Sequence, residues 1–98
     1  MDKDSKQKAT GKVRKMVNME LDLHAMTVDE ALPLVQEYLS DAHMSGLKEV
    51  RIVHGKGTGT LRQAVMRELK GHPLVRSFRP GGRFEGSTGA TVATVVQL

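Results

Sequence analysis

From Val17 onward, apolar Val17, Met19, Leu21 and Leu23 alternate with polar Asn18, Glu20, Asp22 and His24. Side chains that alternate with a period of two belong to a strand with one buried face, so this stretch predicts the first strand. The period then lengthens. Apolar positions 28, 31, 32, 35, 39 and 42 follow the i, i+3, i+4, i+7 spacing of a helix that packs one stripe. Thr27-Val28-Asp29-Glu30 opens it as a capping box, in which the threonine hydroxyl and the glutamate carboxylate each take a backbone N–H that has no helical acceptor. Acids in this first turn suit the positive end of the helix dipole. The helix is expected to reach about Ser45 and stop at Gly46. Pro33 lacks a backbone donor and predicts a slight bend, and His43 near the C-terminus is read as serving the helix end.

Leu47 to Val53 is the next apolar run, and strand, helix and strand together predict a right-handed βαβ unit with two parallel strands. Leu61, Ala64, Val65 and Leu69 mark a second helix, capped by Thr58 or Thr60 and ended by Gly71 and Pro73. Leu74 to Phe78 and Ala90 to Leu98 predict two further strands. The fold class is therefore α/β: a two-layer sandwich of order β-α-β-α-β-β, with two helices on a four-stranded mixed sheet. The glycine-rich connection from Arg79 to Gly89 reads either as a plain hairpin loop or as a flexible flap whose Arg79 or Arg83 contacts a phosphate.

The candidate chemistry gathers at the ends of the first two strands. His54-Gly55-Lys56-Gly57-Thr58-Gly59 lies between a buried strand and a helix start, and its glycines let the backbone turn sharply and approach a ligand. Backbone N–H groups at such a loop favour an anion, with Lys56 and Arg62 adding positive charge, so a phosphate is the natural guest. The G-x-G-x-G spacing lacks the third glycine position of the dinucleotide fingerprint, and no G-K-[ST] follows, so neither NAD nor ATP is implied. Taken alone, the loop is equally a tight turn, and Asp22-x-His24 reads first as an ordinary polar strand face. In a parallel unit, however, ligands gather beyond the carboxyl ends of the strands, and Asp22, His24 and His54 all lie there.

Composition narrows the setting. With 98 residues, 39% hydrophobic and no long apolar run, the chain fits one small domain with no membrane span. Its core is thin and aliphatic, with Tyr38, Phe78 and Phe84 as the aromatics. The absence of cysteine excludes disulfides and thiolate metal sites, and no signal-peptide pattern follows Met1, so a cytoplasmic setting is expected. The formal charge of +4 resides in residues 1–15, where Lys3, Lys6, Lys8, Lys12, Arg14 and Lys15 face Asp2 and Asp4. This segment is expected to be a disordered basic linker or tail, with the folded domain at 16–98. Within the domain, acids concentrate in 16–49 and bases in 50–84, the half that holds the glycine loop. A basic tail and a basic sector form the footprint of a polyanion binder.

LDLH (21–24), EAL (30–32), VRIVHGKGTGTLR (50–62), HPLVRSFR (72–79) and EGSTGATV (85–92) together resemble the Smr, or small MutS-related, domain, most like the domain at the C-terminus of bacterial MutS-two proteins. The resemblance implies a nicking endonuclease or nucleic-acid-binding module, carried behind an ATPase linked to suppression of recombination and to ribosome rescue. It maps Asp22, His24 and His54 as active residues, with Gly55 to Gly59 as the loop. The family motif has glycine where Ala25 stands, and MutS-two relatives often carry arginine at the place of His24.

Two readings of different class follow. In the first, the domain cuts DNA or RNA. Asp22 positions or deprotonates a nucleophile, His54 exchanges protons with the attacking or leaving oxygen, and His24 shares the base role. Gly55, Lys56, Gly57, Thr58, Gly59, Arg62, Arg79 and Arg83 hold the nucleic acid. A divalent metal, magnesium or manganese, is left open as cofactor, because one carboxylate and two histidines make a sparse magnesium site. In the second reading the same loop and arginines only dock a parent protein onto DNA, RNA or a ribosome. A small-molecule phosphate enzyme is a weaker third, lacking aromatic pocket residues. The expected partners are DNA, RNA and the ribosome, with no membrane, a monomeric isolated domain and a homodimeric parent protein.

Overall fold

The computed structural model describes residues 17–98, so the basic segment expected at 1–15 lies outside the described residues. The elements run β1 (Glu20–Asp22), α1 (Val28–Met44), β2 (Glu49–Val53), α2 (Thr60–Leu69), β3 (Val75–Pro80), a short 3₁₀ turn (Ser87–Gly89) and β4 (Ala90–Val95). They form the β-α-β-α-β-β order expected. The sheet order is β1-β2-β4-β3, with β1 parallel to β2 and β4 antiparallel to both its neighbours. Among the described residues no helix is long and apolar enough to cross a membrane.

Register explains how so small a chain builds two different faces. Leu21 lies opposite Ile52 and Val50 opposite Ala93, and Ala93 in turn lies opposite Phe78. This face meets both helices through Ala31, Val35, Leu39 and Ala42 of α1 and Val65 and Leu69 of α2. Leu23, Leu39, Ile52 and Leu69 are sealed from solvent, each contributing roughly 1.5–3 kcal/mol of burial. The other face is polar. Glu20, Arg51, Val92 and Arg79 form one row across the four strands, where Arg51 pairs with Glu20 at 2.8 Å and Arg79 with Glu85 at 2.7 Å.

α1 begins as its sequence requires, with both arms of the Thr27–Glu30 capping box made. Pro33 lies within it without ending it, and the chain turns out at Gly46, φ +76°. His43 does something other than expected: its Nδ1 meets the carbonyl of Val96 at 2.7 Å, fastening the end of α1 to the chain beyond β4. β1 is shorter than the alternation suggested. Asn18 Oδ1 takes the Glu20 N–H, and Met19 stays 62% exposed. β3 starts later than Leu74, whose N–H donates to His72 Nδ1, and runs on to Pro80.

The 81–89 connection is tied down rather than loose. Gly81 N–H donates to Ala90 O, Gly82 N–H to the Glu85 carboxylate, and Ser87 N–H to Gly82 O. A Cβ at Gly81 would stand 2.8 Å from Glu85 O, so the loop folds on itself too closely for any other residue there.

Candidate nucleic-acid interface

β1, β2 and β3 end, and β4 begins, at the same edge of the sheet, where Asp22 pairs with Val53 and Val53 with Ala90. The N-termini of both helices open onto this edge. Between them lies a hollow of about 620 Å³, walled by residues from 24–28 on one side and from 54–62 on the other. The expected neighbourhood of the first two strand tips is therefore real: Leu23 N–H donates to Val53 O at 2.7 Å.

The two helix ends differ in what they offer. α1 has both capping partners plus Asp29 and Glu30 in its first turn, so its positive end is already neutralised. α2 has neither. Gly59 occupies its cap position at φ +89° with no side chain to accept an N–H, and no acid follows in the first turn. Of the threonines expected to cap it, Thr58 does so in part: its Oγ1 accepts the Thr60 N–H at a long 3.4 Å and meets Thr60 Oγ1 at 3.0 Å, while the cap position itself, left-handed Gly59, has no hydroxyl. Arg62 folds back over this open end, its Nη2 3.7 Å from where a Cβ on Gly59 would sit. First-turn amides beyond the capless Gly59, a helix dipole and a guanidinium converge on the hollow, where they favour an anion.

On the opposite wall, Leu23 to Met26 make a turn closed by Met26 N–H to Leu23 O, 3.1 Å. Its third residue needs positive φ, and Ala25 supplies it at φ +66°, a conformation that costs alanine about 1–2 kcal/mol. The turn sets His24 at the rim. Its Nδ1 meets Asp22 Oδ1 at 2.7 Å, and its backbone N–H donates to the same oxygen at 3.0 Å. Those bonds, the backbone one foremost, hold the Asp22 carboxyl below its ordinary 3.8. Asp22 stands behind His24 and outside the lining of the hollow. With Nδ1 donating to a carboxylate, Nε2 is the basic nitrogen.

His54 is placed differently from the role expected of it. It is 4% exposed, its Nδ1 lies 3.1 Å from Gly55 O and its Nε2 lies 2.9 Å from Thr91 Oγ1. A carbonyl only accepts, so Nδ1 carries the proton and Nε2 accepts from the threonine hydroxyl. Burial pushes its pKa below 6.5, the Gly55 carbonyl opposes this, and the Arg62 charge adds to it. His54 borders the hollow, but both of its nitrogens are thus engaged by the fold. His54 braces the glycine loop, as do its own N–H and that of Gly55, each donating to Gly89 O at 3.0 Å.

The remaining expected contacts divide. Gly55, Gly57, Thr58, Gly59 and Arg62 line the hollow, whereas Lys56 is exposed with its stem against Gly89. Arg79 is held bidentately by Glu85, at 2.7 and 3.1 Å. Arg83 is exposed on the 81–89 loop, its guanidinium 5.9 Å from the Phe84 ring. Among the described residues no group of three histidines or carboxylates is arranged to hold a metal ion. His24 Nδ1 and both His54 nitrogens are engaged, which leaves the Asp22 carboxylate and His24 Nε2 as a donor set too sparse and too nitrogen-rich for a magnesium or manganese site. Thr91 and Gly89 went unnoticed in the sequence, although Thr91 is a polar side chain in register with buried Ala93 and Val95.

The profile of the Smr domain matches residues 21–96. The chain belongs to the Smr domain family. It is 51% identical over 78 residues to endonuclease MutS2 of Caldicellulosiruptor saccharolyticus, covering 80% of this chain and 10% of that protein. It is likewise 51% identical over 76 residues to endonuclease MutS2 of Pelotomaculum thermopropionicum, covering 78% and 10%. The chain thus spans about a tenth of the length of the curated relatives it matches. The crystal structure of the Smr domain of Thermus thermophilus MutS2 superposes with a TM-score of 0.76 at 43% identity, covering 79% of this chain and 96% of that one. YdaL, a stand-alone small MutS-related protein from Escherichia coli, superposes with a TM-score of 0.77 at 26% identity, covering 81% and 65%. The two-layer sandwich of this Smr domain is that of its structural relatives.

Proposed function

We propose that this Smr domain binds nucleic acid through a backbone phosphate held at the glycine loop and the open end of α2, and cleaves the adjoining phosphodiester bond. One observation carries the reading: Asp22 grips the Nδ1 side of His24 and leaves Nε2 without a partner among the described residues, at the rim of the hollow that the glycine loop borders. A carboxylate that orients an imidazole is the arrangement that makes histidine a base of defined tautomer. His24 Nε2 would take the proton of the attacking hydroxyl, while Asp22 stabilises the imidazolium so formed. The Leu61 and Arg62 amides and the Arg62 guanidinium would meet the charge that builds on the phosphate. His54 acts by holding the loop. That relatives of this domain are named endonucleases supports the reading.

The test is nicking of supercoiled plasmid and cleavage of single-stranded RNA by the purified chain, with His24→Ala and His24→Arg beside the wild type. Both variants are expected to bind nucleic acid and to lose cleavage by roughly 10²–10⁴-fold. A 5′-hydroxyl end on RNA identifies the ribose 2′-OH as nucleophile, and a 5′-phosphate identifies water. If the wild type leaves both substrates whole, with and without divalent metal, yet still binds them, the domain is a docking module. The sealed position of His54, which leaves one available imidazole, is the observation that favours this second reading.

A further inference from the structure

A second, smaller depression lies on the far side of Arg62. Met66 of α2, Phe78, Arg79 and Pro80 of β3, Thr88 of the 3₁₀ turn and Thr91 of β4 border about 180 Å³, with Arg62 on the side toward the hollow. A thioether, an aromatic ring, a prolyl ring and threonine methyls make its wall apolar, and it is smaller than the pockets that take drug-sized ligands. It has room for one flat heterocycle. Arg62 joins this slot to the phosphate hollow: its Nη2 lies toward Gly59, and its Nη1 is 3.9 Å from Met66 Sδ. Thr91 is 2% exposed and its hydroxyl is turned to His54 Nε2, so the slot meets the apolar side of this residue.

We propose that this slot takes an unstacked nucleobase from the strand whose phosphate lies at the glycine loop, with Arg62 between phosphate and base. The inference rests on the phosphate reading above. It adds a substrate class: a single-stranded or locally unpaired segment, because a base paired within a duplex cannot leave its stack to enter a slot without first being extruded. Apolar walls grip the faces of the base, as in sequence-tolerant single-strand binding.

The test uses the 98-residue chain and fluorescence anisotropy with three labelled ligands of equal length: a single strand, its duplex, and a strand of abasic residues. The wild type should bind the natural single strand roughly tenfold more tightly than the abasic strand, and more tightly than the duplex. Thr88→Phe and Met66→Phe each fill the slot, the first from an exposed position that the fold does not need, and each should bind natural and abasic strands alike. Equal wild-type affinity for natural and abasic strands overturns the slot while leaving the phosphate reading standing. Binding of no strand at low salt overturns both. Slot-filling variants that keep the wild-type preference overturn the placement of the base.

Discussion

Asp22 Oδ1 accepts two hydrogen bonds from one residue, from the backbone N–H of His24 at 3.0 Å and from its ring at 2.7 Å. The carboxylate thereby fixes the ring's tautomer and its position on the turn. Asp22→Asn should keep the geometry, since an amide oxygen still accepts, but remove the charge that stabilises a protonated ring. Cleavage is expected to fall by about 10²–10⁴-fold. Affinity for nucleic acid should not fall, because a negative charge near a phosphate has been removed. Parallel cleavage and anisotropy assays check this.

Ala25 occupies the left-handed region at φ +66°. Ala25→Gly relieves that strain but adds freedom to the unfolded chain, leaving a net gain of about 0.5–1 kcal/mol. Urea denaturation should show a higher midpoint at unchanged slope.

His54 makes stability depend on pH within a definite window. Its folded pKa lies below the ordinary 6.5, so between the two values the unfolded chain binds more protons than the folded one. Stability should be fully present above about pH 6.5 and decline as pH falls toward the folded value. Asp22 and Glu85 titrate lower and do not obscure this window. Thermal melts at pH 7.5 and 5.5 should differ for the wild type, and the difference should shrink in His54→Gln.

Arg79 and Glu85 hold each other, with the Glu85 carboxyl lowered to about 2 chiefly by the Arg79 guanidinium and then by the Gly82 N–H. The pair is exposed enough that its effect on stability should be small, lost as pH falls from about 4.5 toward 2. Glu85→Gln removes the nearer of the two charges on Arg79 and leaves Glu49, 3.9 Å away. Affinity for nucleic acid should rise a few-fold at low salt, and the slope of log affinity against log salt should steepen by about one if Arg79 then reaches a phosphate.

Arg62 and Lys56 should separate in the same measurement. Arg62 covers the open end of α2, whereas the Lys56 ammonium is free of the hollow's wall. Arg62→Ala is expected to cost more affinity than Lys56→Ala and to reduce the salt slope by about one. An unchanged slope would remove Arg62 from the interface.

The parallel unit was legible because both of its periods are clean, with the Thr27–Glu30 box marking the change between them. The convergence of Asp22, His24 and the glycine loop followed from topology alone. The different surroundings of the two histidines did not. Whether an imidazole faces a ligand or a threonine depends on β4, which arrives more than thirty residues later, at Thr91, and no local pattern announces it. The fate of Arg79 was hidden in the same way, since its partner Glu85 meets it only once the loop has closed. At the α2 cap, a threonine on either side made a hydroxyl cap the natural expectation; the left-handed glycine took the cap position and left Thr58 a long 3.4 Å bond to the Thr60 N–H.

The direction of the strands also decides how the domain can be carried. β1 starts, and β4 finishes, at the pole away from the hollow. There Tyr38 donates to Asn18 O, Val96 N–H to Leu74 O and the Gln97 amide to Leu47 O. A tether joined at either terminus of the described domain therefore departs from its back. The working edge faces outward like the tip of a tool, and a fused partner, tag or solid support at either end would leave the entrance clear.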